Sequence, residues 1–395
     1  MECMQYIARL LEKEIEREIK RGKSILLLGP RQTGKTTLIK HFGNDLFLSL
    51  IRPDVRQRYE KNPELLYSEI EALSIEQKKT NPLIVIDEVQ KVPEILDVVQ
   101  DIIDNKKASF ILTGSSARKL RRGQNVNLLP GRVIASRLDP LVLNELDSYN
   151  LNELIMYGSL PGILLVKDAY EKEKELESYI TTYLEEEIRA EAIVRNLGPF
   201  ARFIELAASE SGNIINLRKL SQEIGVSHTT IASYYQILED CLIIEKITPI
   251  TKSKTRKKLT KSQKYLFFDL GVRRVAAREG IKQPREMLGK LFEQFIGLEL
   301  IRYSRLSHKR SRVFFWRDPD GPEVDWVLDI ENTYIPIEIK WTDSPTKSDI
   351  KHLKVFLSEY NNTKLGYLVC QTPRKLKLDE NIFAIPWQEI NKLFV

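Results

Sequence analysis

The stretch Gly29-Pro30-Arg31-Gln32-Thr33-Gly34-Lys35-Thr36 fits G-x-x-x-x-G-K-[ST], and its flanks fit the motif's structural context. Ser24 to Leu28 reads as a short buried strand, and Thr37 to Phe42 as the first turns of a helix. A strand that turns sharply into a helix aims successive backbone N–H groups, and the positive end of the helix dipole, at one spot where β- and γ-phosphates sit. Gly29 to Thr36, with Thr37 after them, are therefore the expected ATP-binding residues. Lys35 would neutralise phosphate charge, and the Thr36 hydroxyl would ligate Mg²⁺. The competing reading is a glycine-rich turn with a chance Lys-Thr.

A second motif speaks against chance. Leu83-Ile84-Val85-Ile86-Asp87-Glu88 is an apolar run short enough for a central parallel strand, and it ends in two carboxylates. At the carboxyl end of a strand beside the phosphate loop, Asp87 serves the Mg²⁺ shell and Glu88 orients and activates the attacking water. The pair turns a nucleotide binder into a hydrolase; the plainer alternative is that it only caps the following turn.

Around these motifs, strand and helix alternate. Tyr6 to Lys20 is an amphipathic helix, Leu46 to Leu50 a strand, and Asp54 to Leu73 mostly helical with Pro53 and Pro63 as punctuation. Pro93 to Asp104 is a helix and Ser109 to Ser115 another strand, so a doubly wound parallel sheet is expected. The Thr-Gly-Ser end of that strand puts Thr113 or Ser115 where a hydroxyl helps place the lytic water. Gly131-Arg132 precedes a last core strand, Val133 to Leu138. That is a subunit edge in ring-forming ATPases, so Arg132 is either an arginine finger toward a neighbour's γ-phosphate or a surface arginine in a local ion pair.

The order of phosphate loop, Asp-Glu strand, Thr-Gly-Ser strand, Gly-Arg and then Tyr157-Gly158-Ser159-Leu160-Pro161-Gly162 resembles the AAA+ ATPases of archaea and bacteria that carry a carboxy-terminal nuclease-like domain of uncharacterised role. The match runs nearly the whole length. In that family the Gly-x-x-Pro turn opens a helical lid against the adenine, and the resemblance assigns that part to Gly158 and Pro161.

Leu217 to Leu238 reads as helix, Gly-Val-Ser turn and second helix capped by Ser227: a helix-turn-helix. The strands Cys241 to Ile247 and Tyr265 to Phe268 would be its wing, and Lys252 to Lys264 between them is dense in positive charge and has no acid. His228, Thr229 and Thr230 on the second helix, and Lys254, Arg256, Lys257 and Lys258 in the basic segment, are the DNA-contact candidates. The alternative is a winged helix that only packs domains together, with a solvated lysine loop.

In the final third, Glu323 to Leu328 and Tyr334 to Trp341 are strands. Glu338 and Lys340, two residues apart, share one strand face, turned toward Asp325 on the neighbouring strand. This closely resembles the PD-(D/E)XK nuclease core. Asp325 and Glu338 make an oxygen site for Mg²⁺ or Mn²⁺, Lys340 is the catalytic cation, and Glu293 on a preceding helix is a third carboxylate. The helical segment Lys347 to Tyr360 offers Lys351 and His352 where many resolvase-like members place a Gln, which weakens cleavage relative to metal binding. An inert ion-pair network, with Lys340 neutralising an acid, is the competing reading.

Composition sets outer limits. The 61 basic and 55 acidic residues leave a net charge of +6, which permits nucleic acid without demanding it. Three distant cysteines, Cys3, Cys241 and Cys370, indicate neither a disulfide framework nor a zinc cluster. With no apolar run of about 18 residues and no signal-peptide pattern, a cytoplasmic protein without a membrane span is expected. The expected architecture is α/β: an AAA+ core with a P-loop doubly wound parallel sheet (1–148), a helical lid (149–208), a winged helix-turn-helix (209–268) and a restriction-endonuclease-like domain (269–395). The expected activity is ATP hydrolysis coupled to DNA, branched or forked, with metal-dependent cleavage, in a homo-oligomer. A signalling or scaffold NTPase whose last domain binds a partner is the alternative.

Overall fold

The computed structural model describes residues 6–116, 129–184, 197–251, 259–318 and 321–394. They form two compact units. The first holds the chain up to Leu141 with Leu160–Leu165 and Ile237–Ile243, and the second holds Val142–Ser159, Val166–Gln236 and everything from Ile244. Apart from those two short stretches, the segments expected to form a lid, a helix-turn-helix and a carboxy-terminal domain fall in the second unit.

In the first unit the elements run α1 (Glu12–Lys20), β1 (Ser24–Leu28), α2 (Lys35–Lys40), β2 (Leu46–Ser49), α3 (Pro53–Lys61), α4 (Leu65–Gln77), β3 (Leu83–Asp87), α5 (Ile95–Asp104), β4 (Ser109–Gly114) and β5 (Val133–Arg137). Five parallel strands lie in the order β2-β3-β4-β1-β5. Parallel strands are linked by crossover helices that cover the sheet, which is why all five residues of β3 are buried. Ile84, Ile86, Val99, Ile102, Phe110 and Leu112 are fully inaccessible members of one core. Each such side chain contributes about 1.5–3 kcal/mol.

The strand that ends in Thr-Gly-Ser, β4, lies beside the acidic strand β3 and pairs on its other side with β1. Both β3 and β4 are fully buried runs. One expectation needs correction here: the leading helix is shorter than Tyr6 to Lys20. The chain before it is drawn to the phosphate loop instead, where the Arg9 guanidinium donates to the carbonyls of Thr33 (2.8 Å) and Asp139 (2.7 Å).

The next elements are α6 (Leu151–Tyr157), α7 (Pro161–Leu165, in the first unit), α8 (Ala169–Ser178), α9 (Leu197–Ser209), α10 (Leu217–Ile224) and α11 (His228–Asp240). Asn216 caps α10 by accepting from Arg218 N and Lys219 N, and Gly225 ends it at φ 80°, in the left-handed region. Ser227 accepts from Thr230 N at 3.1 Å and starts α11. An antiparallel pair follows, β6 (Ile244–Ile247) and β7 (Lys264–Phe267). Then come α12 (Leu270–Ala276), α13 (Arg285–Leu306), β8 (Ser311–Arg317), β9 (Glu323–Ile330), β10 (Thr333–Ile339), α14 (Lys351–Glu359), β11 (Gly366–Cys370), β12 (Leu376–Asp379) and β13 (Ile382–Pro386). The last six strands form one sheet, β12-β13-β11-β10-β9-β8.

Within the second unit, Glu299 on α13 is 1% exposed. It accepts from Leu143 N (3.1 Å) and from Arg302 (3.2 Å). Burial pushes its carboxyl up to about 7, against the pull of Arg302. A folded value above the unfolded 4.5 means that the stabilisation is complete below pH 4.5 and is lost as pH rises through about 7. Denaturant titrations should therefore show wild-type stability falling relative to Glu299→Gln by about 3 kcal/mol between those limits. Parallel pH curves for the two proteins would refute the assignment.

Candidate active sites

Pairing of Leu28 with Gly114 and of Ile86 with Leu112 brings the ends of β1, β4 and β3 to one edge of the first unit's sheet. Gly29 is required there by close approach, since a Cβ would lie 2.3 Å from the Leu138 carbonyl oxygen. Thr33 Oγ1 donates to the Pro30 carbonyl at 2.9 Å, and Gln32 (φ 62°) and Gly34 (φ 91°) take left-handed conformations as the loop turns into α2. The Lys35 ammonium lies across the loop, donating to the carbonyls of Gly29 (2.8 Å) and Pro30 (2.9 Å). Arg31 is half-buried, while Gln32 and Thr37 are exposed.

Asp87 is inaccessible to solvent. Its carboxylate accepts from Thr36 Oγ1 at 3.1 and 3.2 Å and from Thr113 Oγ1 at 2.6 Å, while Thr113 Oγ1 in turn accepts from Glu88 N at 3.0 Å. Burial pushes the Asp87 carboxyl above its ordinary value, the Thr113 hydrogen bond pulling the other way. A buried carboxylate met by a hydroxyl on each side is a donor set that fits a divalent cation, with Thr36 and Asp87 to hold it.

Glu88 is in the left-handed region, φ 60°, and its side chain meets Ser115 and Gln90. Ser115 Oγ donates to Glu88 Oε2 at 3.1 Å. Arg132 forms a bidentate pair with Asp104 at the end of α5, Nε to Oδ1 at 2.7 Å and Nη2 to Oδ2 at 2.9 Å. Within the chain, Arg132 thus sits in the local ion pair that was the alternative to an arginine finger. Pro161 opens α7 and packs by the loop, its Cγ 4.0 Å from where a Cβ on Gly34 would be. Gly158 (φ 75°) belongs to the second unit, where a Cβ would meet Asp269 Oδ1 at 1.9 Å; its contact is this buried acid.

In the second unit, Asp325 and Glu338 are neighbours on β9 and β10. Burial pushes the Asp325 carboxyl well above its ordinary value, and Glu338 adds to that. Burial pushes Glu338 up to about 7, against the Lys340 ammonium 3.0 Å from its Oε1. Ile339 N donates to Asp325 Oδ2 at 2.8 Å, and Glu338 Oε2 is buried with no hydrogen-bond partner among the described residues. Two repelling carboxylates, one with an orphaned oxygen, fit a divalent cation.

Glu293 does not complete a three-carboxylate centre. It pairs instead with Lys264 of β7, Nζ to Oε1 at 3.1 Å, and that ammonium lies 5.1 Å from the Phe315 ring centroid and 5.6 Å from that of Trp326. A lysine desolvated among aromatic rings needs an anion; Glu293 is hydrogen-bonded to it, and the charges of Asp325 and Glu323 also favour its protonated form. Among the described residues no three of His, Cys, Asp and Glu are grouped to hold a metal ion.

Residues 21–147 match the family model of an AAA domain. The amino-terminal region is an AAA-type ATPase-like domain that carries the phosphate loop. Residues 148–284 and 288–390 match two models, each described as a domain of unknown function, DUF8612 and DUF4143. An uncharacterised protein of Mycobacterium tuberculosis is 24% identical, covering 98% of this chain and 85% of the relative. Another from Methanocaldococcus jannaschii is 23% identical, covering 96% and 87%. Among solved structures the chain is similar to Cdc6p from Pyrobaculum aerophilum, with TM-score 0.32 and 14% identity over 74% of this chain and 96% of that one. It is also similar to the DNA clamp loader delta protein of Bacillus subtilis, with TM-score 0.26 and 12% identity over 58% and 87%. TM-scores this low carry no functional statement.

An AAA domain with a P-loop implies nucleotide binding with Mg²⁺. No helix among the described residues is long and apolar enough to cross a membrane. His228 and Thr229 at the start of α11 are exposed, and the Thr229 and Thr230 hydroxyls lie 2.7 and 2.8 Å from Ser227 Oγ. Lys254, Arg256, Lys257 and Lys258 lie outside the described residues. Sequence reading passed over Gln90 and Lys264. Gln90 stands two residues past Glu88, where spacing suggests inspection; Lys264 looked like one more cation in a basic run.

Proposed function

We propose that the chain hydrolyses ATP at the AAA domain and couples the cycle to DNA bound by the second unit. The observation that carries this is Asp87 set between Thr36 and Thr113 with Glu88 next in line. Thr36 and Asp87 hold Mg²⁺, which supplies charge neutralisation at the β- and γ-phosphates. Lys35 adds a positive charge at the loop, and Glu88 accepts the proton of the attacking water. In a homo-oligomer Arg132 serves a neighbour's γ-phosphate once it leaves Asp104; the pair is exposed at the surface, where ion pairs exchange readily.

The helix-turn-helix α10–α11 with the β6–β7 pair supports a winged-helix reading, with α11 and the basic segment toward DNA. The sheet carrying Asp325, Glu338 and Lys340 supports a PD-(D/E)XK-like reading, with Asp325 and Glu338 to hold Mg²⁺ or Mn²⁺ and Lys340 beside the scissile phosphate. A partner-binding domain without cleavage is the second reading, favoured by the Lys340–Glu338 and Lys264–Glu293 pairs that neutralise the cluster from within. Measuring ATP turnover and strand cleavage on linear, forked and junction DNA, with ATP and Mg²⁺ varied independently, tests the proposal. DNA-stimulated turnover is expected, and turnover indifferent to every DNA would refute the coupling.

Neutralising Lys254, Arg256, Lys257 and Lys258 together should weaken DNA binding and flatten its dependence on salt by about 3–4 units of log–log slope, with little change in sequence preference. A fluorescence-anisotropy salt titration reads this, and an unchanged slope would return the segment to solvated surface.

A further inference from the structure

The side chain of Gln90 is 5% exposed and lies in the single helical turn Val89–Lys91 that follows the left-handed Glu88. That turn folds residue 90 back over residue 88. Gln90 Nε2 donates to Glu88 Oε2 and, at 2.9 Å, to Ser115 Oγ. Ser115 Oγ itself donates to the same Glu88 oxygen at 3.1 Å. One carboxylate oxygen is therefore held by two donors, one from the turn after β3 and one from the end of β4. A carboxylate only accepts, so the amide must present its NH₂ to it. The cost is visible on the other side: Gln90 Oε1 is buried with no hydrogen-bond partner among the described residues. It lies 2.9 Å from where a Cβ on Gly114 would stand, so a side chain at that position would push the amide from this place. An orphaned buried carbonyl is destabilising, and an apolar side chain of the same length would fill the space without it. A group kept at such a cost beside a reacting carboxylate marks function rather than packing.

We propose that Gln90 is a positioning residue for ATP hydrolysis. With Ser115 it fixes the Glu88 carboxylate so that its other oxygen, Oε1, is presented to the attacking water. This rests on the reading of Glu88 as the group that activates water. The clamp acts on the orientation of the carboxylate and not on nucleotide binding, which belongs to Gly29–Thr36 and Asp87.

Steady-state ATPase kinetics, ATP affinity and thermal melting of Gln90→Met, Ser115→Ala and the double variant test this. Gln90→Met keeps the length, removes the amide and should lose about tenfold in kcat with KM, ATP affinity and Tm close to wild type. Because both donors serve one oxygen, the double variant should lose less than the product of the single losses. If Gln90→Met does not fold, Gln90→Glu keeps the length and polarity but opposes a second carboxylate to Glu88, and its kcat should fall further than tenfold. Wild-type kcat in the folded variant, or a loss tracked by KM and Tm, would overturn the proposal. The control Glu88→Gln separates the two levels. If it is inactive while Gln90→Met is fully active, only the clamp fails; if Glu88→Gln is itself active, the reading beneath it fails.

Discussion

Glu88→Gln is expected to bind ATP and to lose at least about 10²-fold in turnover, the usual scale for removing a general base. The substitution keeps the size of a side chain that is 9% exposed, so the site's shape survives. Asp87, Thr36 and Thr113 keep their mutual hydrogen bonds, because none of them passes through the Glu88 side chain. Lys35→Ala should behave differently. Its ammonium spans the loop between the Gly29 and Pro30 carbonyls, so its loss weakens nucleotide binding itself. Equilibrium binding of ATP beside single-turnover hydrolysis separates the two effects. Wild-type turnover in Glu88→Gln would remove the assignment.

On the proposed nuclease reading, Asp325→Asn should abolish divalent-dependent DNA cleavage, by at least about 10²-fold, since even indirect damage to a metal site costs on the order of 10- to 100-fold. The amide retains an oxygen to accept from Ile339 N, now at 2.8 Å from Asp325 Oδ2, so β9 and β10 stay in register. What disappears is the charge that repels Glu338, and with it the reason to bind a cation. Mn²⁺ should raise the Tm of the wild type and not of the variant. ATP turnover should be unaffected, because the P-loop residues lie in the first unit. If the wild type cuts no linear, forked or junction DNA in Mg²⁺ or Mn²⁺, with or without ATP, the carboxy-terminal domain is a binding module.

The phosphate loop and the Asp87-Glu88 strand were legible because their chemistry is local. Backbone N–H groups, a lysine and a hydroxyl must follow one another within eight residues, and an apolar strand must end in its carboxylates. The pairing of Asp325 with Glu338 was legible for a similar reason: period-two alternation puts Glu338 and Lys340 on one strand face, next to the preceding strand. The full strand order, β2-β3-β4-β1-β5, was not. Fully buried strands carry no mark of their neighbours, and only the closing of the sheet chose the order.

Side-chain partners were beyond the sequence wherever distant elements supply them. Glu293 stood as a third metal ligand until Lys264, 29 residues earlier, was found holding it. Arg132 was balanced between two readings, and Asp104 is its partner within the chain. Gly158 was assigned to the adenine by resemblance; the structure adds that it lies against Asp269, whose burial needs a residue without Cβ there. By itself the sequence determined which residues bear the charges and hydroxyls of each site, because covalent order and helix or strand period settle that. The tertiary structure alone decided which charge answers which, since a buried ion takes the nearest available counterion and the fold sets what is near.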